Sequence, residues 1–395
     1  MSEQLPGVSR CAFRLLVAMV LLCVVAAVVG AWSVTADRCS RIGAARPHEA
    51  IAEKAIAAGD YARAAAAYGR AAALAPSPAS EIRAARARLM VASLVPEILD
   101  ARSLGEFQYD LDMLPKGGSA SENATASAVT GHIAVLRGDI KAAEAAYKQA
   151  IELDAKCAGA HVGLGMLALR TGSKDKVVEE FGKAVEALPK VMDLRVALAT
   201  AALNVDMADQ AIVKAREALD ISDDVRVRRV LALALARTGK YEDARPELEK
   251  VAAVLPQDAD VLLALGTAYA NQNDLPGAER ALRAAVGAKS DERSITALST
   301  VMLRQRKPND VLELLGPLVQ KGTAGPFTTM NAGYAAEMIG NKELARSIFT
   351  RVLDFVERNS KQLDKDAAAS LQRDANAAIQ RLGPPPEAPP PAAPK

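Results

Sequence analysis

The chain has 395 residues, of which 50% are hydrophobic and only 4% are aromatic. Its 49 basic and 47 acidic residues leave a formal charge of +2, and this near balance argues against a nucleic-acid-binding protein. A core rich in alanine and poor in rings favours closely packed helices. It argues against a β-sandwich or barrel, because those folds favour β-branched and aromatic residues.

The first element along the chain is an uncharged, mostly apolar run at residues 15–36, which follows a short flank at 1–14. A helix needs about 20 such residues to cross a bilayer, so the run predicts one transmembrane anchor. A cleaved signal peptide is the alternative, since Val34-Thr35-Ala36 has the small residues of a cleavage site. The run is longer than the apolar region of most signal peptides, which favours the anchor.

The residues around this run bear on its orientation. The short first segment with Arg10 and Arg14 has the form of an export signal. More basic residues follow the run than precede it, so the positive-inside rule does not favour the same orientation. We predict a single-pass membrane protein whose remaining part lies on the extracytoplasmic (periplasmic) side. Secretion after cleavage is the alternative.

From Arg46 onward the sequence repeats with a period near 34 residues. Each clear unit has a turn glycine, a small residue before it, and small, large and small residues after it at helical spacing. Those spacings place the residues on one face of each of two helices. Small residues midway along both helices let the two axes approach closely, and the large residues fill the space beside them. The turn glycines are Gly59, Gly138, Gly172, Gly239 and Gly340.

This pattern resembles the tetratricopeptide repeat family, whose repeats have the same period. The resemblance covers about seven units between Arg46 and Val356. It implies an all-α fold, a right-handed superhelical solenoid of antiparallel helix pairs, here preceded by one transmembrane helix.

The regular pattern is interrupted in two places. Residues 79–123 predict a degenerate hairpin, with helices around Glu81–Leu94 and Pro96–Phe107, followed by a loop. Residues 293–325 are a second eroded unit, in which Pro308 begins a helix. The predicted segments are a repeat at 45–78, the degenerate hairpin at 79–123, a repeat array at 124–359, a capping helix at 360–383 and a disordered proline- and alanine-rich tail at 384–395.

Groups that could perform catalysis are sparse. None of the three histidines, His48, His132 and His161, has another histidine at metal-ligand spacing. Cys157 and His161 could share a helix face, but two ligands do not make a zinc site. We therefore predict no catalytic residues, no metal site and no cofactor.

Repeat solenoids expose extended surfaces that bind other proteins. The predicted function is therefore that of a non-catalytic, membrane-anchored scaffold or adaptor for proteins or peptide segments, with envelope assembly as a candidate process. The alternative is a noncatalytic regulatory subunit of a membrane-associated enzyme complex.

The resemblance implies that partners bind a concave surface lined by the second, fifth, ninth and thirteenth positions of each first helix. Most of these positions are small or apolar here, as at Val162. Arginine binds carboxylates through two parallel hydrogen bonds, so the polar exceptions predict an acidic segment or a C-terminal carboxylate as ligand. Alternatively, the arginines form a solvated face paired with Asp223, Asp224 and Asp260. The candidate binding residues are Arg170, Asn204, Arg226, Arg229, Arg237 and Asn271.

Overall fold

The computed structural model describes the backbone of residues 10–359 and 363–384, with side chains from residue 31 onward except residue 32. All regular structure in that part of the chain is helical, which confirms the all-α part of the predicted fold class. The chain divides into two compact units, unit 1 at Met1–Val205 and unit 2 at Asp206–Lys395.

Unit 1 holds nine α-helices and a short 3-10 helix, Pro96–Ile98, within its described residues. The helices are α1 (Arg10–Ala58), α2 (Tyr61–Leu74), α3 (Pro78–Leu94), α4 (Leu104–Asp112), α5 (Ala120–Leu136), α6 (Ile140–Leu153), α7 (Ala158–Thr171), α8 (Lys174–Ala187) and α9 (Met192–Asn204).

Unit 2 begins with α10 and continues as pairs of helices. A single apolar core extends through it from α13 to α19. The helices are α10 (Ala208–Leu219), α11 (Val225–Arg237), α12 (Tyr241–Val254), α13 (Ala259–Asn271), α14 (Leu275–Ala288), α15 (Glu292–Arg304), α16 (Pro308–Lys321), α17 (Pro326–Met338), α18 (Lys342–Arg358) and α19 (Lys365–Arg381).

The predicted anchor at 15–36 lies almost entirely outside the residues whose side chains are described. The backbone there belongs to α1, which continues without a break into the first repeat. None of the helices in the described part of the chain is long and apolar enough to cross a membrane. The predicted proline- and alanine-rich tail also lies outside the described residues, apart from its first residue, Pro384.

The turns inside the hairpins have a common local cause. All five predicted turn glycines have positive φ, between 72° and 80°, where a side chain would strain the backbone. The residue that follows often caps the second helix. Asp60, for example, accepts a hydrogen bond from the backbone N–H of Arg63, and Asp139 accepts one from that of Ala142. The glycine therefore reverses the chain, and the next side chain satisfies a free N–H at the start of the new helix.

Three hairpins make the same turn without glycine. Asp206, Asn273 and Arg306 occupy the glycine position with φ of 62°, 61° and 58°. Aspartate and asparagine tolerate this conformation better than most residues, because their short polar side chains can hydrogen-bond to the nearby backbone. Arginine lacks this local hydrogen bond. The unit at 293–325 therefore still forms a pair of helices, α15 and α16, although its repeat pattern is eroded in the sequence. Its second helix does begin at Pro308, as predicted.

The two helices of a hairpin approach closely where a glycine of the first meets a large side chain of the second. A Cβ on Gly165 would lie 2.8 Å from Cδ2 of Phe181, and one on Gly266 would lie 2.5 Å from Cγ of Leu282. Gly131 lies against Tyr147 in the same way. These contacts confirm the predicted alternation of small and large residues, which sets the distance between the helices.

The irregular segment of unit 1 differs from its prediction. Its first helix, α3, is close to the predicted bounds, but the second begins at Leu104 and not at Pro96. The proline begins only a single 3-10 turn, after which Asp100 accepts hydrogen bonds from the backbone N–H groups of Arg102 and Ser103. This local turn competes with helix formation and delays α4.

The last helix, α19, lies within the segment 360–383 that predicts a cap. It buries Leu371, Ala375 and Ala378 in the core of unit 2 and exposes polar residues such as Arg373. A terminal helix with one apolar and one polar face is what an open repeat stack needs at its end.

Candidate partner-binding surface

The six predicted binding residues are divided between the two units. In unit 1, Arg170 lies at the end of α7 and Asn204 at the end of α9, and both are exposed. In unit 2, three predicted arginines lie on α11, and Asn271 ends α13, which packs against α11. The structure therefore places Arg226, Arg229, Arg237 and Asn271 on two adjacent helices, with Arg226 and Arg229 near one end and Arg237 and Asn271 at the other.

In unit 1, part of the surface formed by the inner positions (the second, fifth, ninth and thirteenth) of the first helices is covered by α3, which packs against both α5 and α7. Gly159 and Val162, at the second and fifth positions of α7, are buried, and Gly159 lies against Ser93 of α3. On α5, His132 is buried as well and binds the carbonyl oxygen of Ser93. The expectation that Val162 lines a concave binding surface is therefore wrong, because α3 already covers it.

At the N-terminal ends of the first helices of unit 2, the arginines are paired with aspartates. Arg226 binds Asp224, with Nη2 and Oδ2 2.7 Å apart. Arg229 of α11 crosses to α13, where it binds Asp258 and also Asp260, the latter with Nη2 and Oδ2 3.3 Å apart. These contacts resemble the alternative prediction, in which the arginines form a solvated face paired with aspartates, and they add Asp258 as a partner.

The ion pairs lower the pKa of two of these aspartates, Asp224 and Asp258. The hydrogen bond from Arg226 is the main reason that the pKa of Asp224 is lowered. Burial alone would raise the pKa of Asp258, but hydrogen bonds from Arg229 and the Val261 N–H lower it. Asp258 also caps α13, so Arg229 supports the start of the next first helix. Removing Arg229 would disturb the fold as well as the surface.

The C-terminal ends of the same helices carry a different set. Arg237, Asn271, Arg304 and Met338 occupy the thirteenth position of α11, α13, α15 and α17, and we call these four residues the edge row. Each of these helices packs on the next. Arg237 reaches back to Asp206 at the preceding turn, with Nη1 and Oδ1 3.3 Å apart.

Arg304 has a similar position but different partners. Its Nη1 donates to the carbonyl oxygen of Ala270 at 2.9 Å, and its Nη2 donates to Oδ1 of Asn273 at 3.3 Å. Both acceptors are uncharged. Across the described ranges, no carboxylate lies within ion-pair distance of this guanidinium.

Sequence reasoning missed Arg304 and Met338, and also Arg293 at the second position of α15. The repeat register would have found them, because they occupy the same positions as the predicted residues. At Arg293 and Arg304 the register was lost because Arg306 replaces the turn glycine, so the unit looked eroded. Met338 lies before the clear turn glycine Gly340 and was passed over because it is not polar.

A metal centre finds no support in the described part of the chain, where no group of three His, Cys, Asp or Glu residues is arranged to hold an ion. His161 instead binds Glu180, with Nδ1 and Oε2 2.7 Å apart. Cys157 is buried, and burial raises the pKa of its thiol. A buried thiol with a raised pKa is a poor nucleophile.

The sequence pattern of the tetratricopeptide repeat family matches residues 130–191 and 229–293. The chain therefore contains tetratricopeptide repeats in both units, and repeats of this kind typically mediate contacts between proteins. Comparison with curated proteins gives no match.

Several solved structures are similar. YrrB, described as a tetratricopeptide repeat protein with an unusual peptide-binding site, has 22% identity and a TM-score of 0.39, covering 47% of this chain and 92% of its own. A tetratricopeptide repeat protein from Parabacteroides merdae has 14% identity and a TM-score of 0.49, covering 66% and 100%. MamA from Desulfovibrio magneticus has 19% identity and a TM-score of 0.39, covering 41% and 93%.

Proposed function

We propose that this protein is a non-catalytic adaptor that binds a partner protein on the inner positions of α11, α13, α15 and α17 in unit 2. The observation that carries the proposal is the contrast between the units. The second and fifth positions of α7 and the thirteenth position of α5 are buried beside α3, whereas in unit 2 the second and thirteenth positions of α11 are the exposed Arg226 and Arg237. An acidic segment is the favoured ligand because a guanidinium binds a carboxylate at two points.

The test replaces the two exposed predicted arginines of α11. We expect Arg226→Ala combined with Arg237→Ala to reduce capture of a partner from solubilised membranes by about tenfold or more, since interface arginines often carry much of the binding energy. Arg229 is left in place because it binds the capping Asp258. Quantitative mass spectrometry of proteins retained by the tagged chain measures the effect.

The matched control is Arg216→Ala combined with Arg280→Ala. Both arginines are exposed and lie on second helices, α10 and α14, so the net charge changes equally while the inner positions stay intact. Equal capture by the control and the test variant, with both folded, would contradict the proposed surface.

We also propose that residues 15–36 anchor the protein in a membrane, with the repeats on the extracytoplasmic side and a role in assembling the envelope. The uncharged run and the export-like flank with Arg10 and Arg14 support this. We expect the protein to stay in the membrane pellet after carbonate extraction and to keep its first residues. An N-terminus at Asp37 would indicate a secreted protein, and a reporter fused after Lys395 that works only in the cytosol would reverse the orientation.

A further inference from the structure

The edge row combines two positive charges with an exposed apolar end. Arg237 and Arg304 lie on α11 and α15, with the uncharged Asn271 between them on α13. On α17 the same position is Met338, which is 46% exposed, and the next residue, Ile339, is 43% exposed. Exposed methionine is a favourable contact for an apolar side chain, because it is flexible and polarizable.

Arg304 is the member of the row that is best prepared to bind an anion. A guanidinium carries five N–H donors, and Arg304 uses one on each terminal nitrogen for Ala270 and Asn273. Three donors are left for a ligand. The two contacts also fix the side chain, so less conformational entropy is lost when a carboxylate binds.

The N-terminal ends of the same helices are less suitable for an acidic ligand. Arg293 there contacts Asp260 and Asp291, and Arg229 contacts Asp258 and Asp260. An incoming carboxylate would have to displace these aspartates and would meet their charge. At Arg304 the existing acceptors are neutral, so a carboxylate adds an attraction without replacing one.

We propose that the edge row binds an extended acidic segment of a partner protein, with a partner carboxylate on Arg304 and a partner apolar side chain on Met338 and Ile339. This inference rests on the proposed function and adds the chemistry of the ligand. Packed helices lie about 8–10 Å apart, and an extended chain advances about 3.3 Å per residue. The apolar residue should therefore lie about three residues from the carboxylate. A second carboxylate, about six residues away on the other side, would share the guanidinium of Arg237 with Asp206, whose side chain is 74% exposed and whose charge is therefore screened by solvent.

The probe is a fluorescein-labelled peptide of glycine and serine with this spacing: an aspartate, a second aspartate about six residues later, and a leucine about three residues after that. The same peptide with its order reversed tests the other direction of binding. Fluorescence polarisation with the detergent-solubilised full chain measures the affinity. We expect one direction to bind, and to bind less tightly as salt increases.

Two peptide controls separate the parts of the ligand. Replacing both aspartates by asparagine should weaken binding by about tenfold or more, and replacing leucine by serine should weaken it by about fivefold. Equal affinity for the aspartate and asparagine peptides would overturn the inference.

Two protein variants place the ligand on the edge row. Arg304→Ala should weaken binding of the aspartate–leucine peptide by about tenfold. Met338→Ser should weaken that peptide but leave the aspartate–serine peptide unchanged. Arg280→Ala on α14 and Val213→Ser on α10, where Val213 is 53% exposed, are the matched controls.

The outcomes distinguish this inference from the function on which it rests. Binding that is insensitive to Arg304→Ala, or absent for both peptides, would overturn the edge-row ligand. If partner capture still depended on Arg226 and Arg237 in that case, the adaptor function would stand. Loss of both dependences would overturn the two together.

Discussion

Replacing Gly266 with leucine is expected to lower the free energy of unfolding of unit 2 by about 3 kcal/mol, near the top of the range for overpacked cores. A Cβ at Gly266 would lie 2.5 Å from Cγ of Leu282 and 3.2 Å from the carbonyl oxygen of Ala278. Leu282 is fully buried and cannot swing into solvent, and the carbonyl belongs to the backbone of α14. The new side chain can fit only if α13 and α14 move apart.

Gly287→Leu is the matched control on the same hairpin. Gly287 also lies in α14, but no atom lies within 4 Å of the position that its Cβ would take. That variant should gain up to about 0.7 kcal/mol, because leucine favours a helix more than glycine does. Urea denaturation followed by far-UV circular dichroism measures both variants. A Gly266→Leu protein as stable as the unaltered chain would mean that α13 and α14 do not cross at this glycine.

The contact tested by Gly266→Leu was predictable because it is local and repeated. Gly131, Gly165 and Gly266 each lie 16 residues before the large side chain that they meet, at Tyr147, Phe181 and Leu282. The same spacing in successive units shows that both helices share one geometry. The turn glycines were predictable for the same reason, because a tight reversal needs a residue that adopts positive φ without strain.

Contacts between distant parts of the chain were not predictable in this way. The repeat register assigns Val162 to an open surface, and only the path of α3 shows that the surface is covered. Similarly, the register shows that Arg229 faces the neighbouring helix, but not that Asp258 and Asp260 will bind it.

The predicted binding residues were chosen by their position in the repeat, and the structure shows that they differ in exposure and in their contacts. Arg226 and Arg237 are as exposed as the register suggests, whereas Arg229 is half-buried and contributes to the capping of α13. Arg304 was missed because Arg306 occupies its turn in place of glycine. A search that allows any residue at the turn position would have kept the register and found it.

In unit 1, the contact between α3 and α5 includes a buried histidine. His132 is buried between α3 and α6, and its Nε2 lies 3.1 Å from the carbonyl oxygen of Ser93. Its Nδ1 lies 2.8 Å from the hydroxyl oxygen of Tyr147. A carbonyl oxygen can only accept, so Nε2 carries the proton in the neutral ring, and Nδ1 accepts from the tyrosine hydroxyl. Both ring nitrogens are thus satisfied without a charge.

Burial lowers the pKa of His132 from 6.5 to about 4, although the hydrogen bond to Ser93 opposes this effect. In the unfolded chain the ring takes up a proton as the pH falls below about 6.5, whereas the folded protein resists protonation until about pH 4. The contribution of this group to stability is therefore fully present above about pH 6.5 and is lost as the pH falls to about 4. The difference between the two pKa values corresponds to a loss of about 3 kcal/mol over that interval.

We therefore expect unit 1 to unfold at lower urea concentration near pH 4 than near pH 7, and expect His132→Gln to remove about 3 kcal/mol of that difference. Glutamine can donate to Ser93 and accept from Tyr147, but it does not titrate. Hydrogen-exchange mass spectrometry of peptides within α5 and α6, measured in urea at both pH values, reports on this part of unit 1. Protonation of carboxylates elsewhere affects both proteins equally, so the comparison isolates His132. If acid destabilised the His132→Gln protein as much as the unaltered chain, His132 would take up its proton as readily in the folded state as in the unfolded state, and α3 would not cover it as the structure indicates.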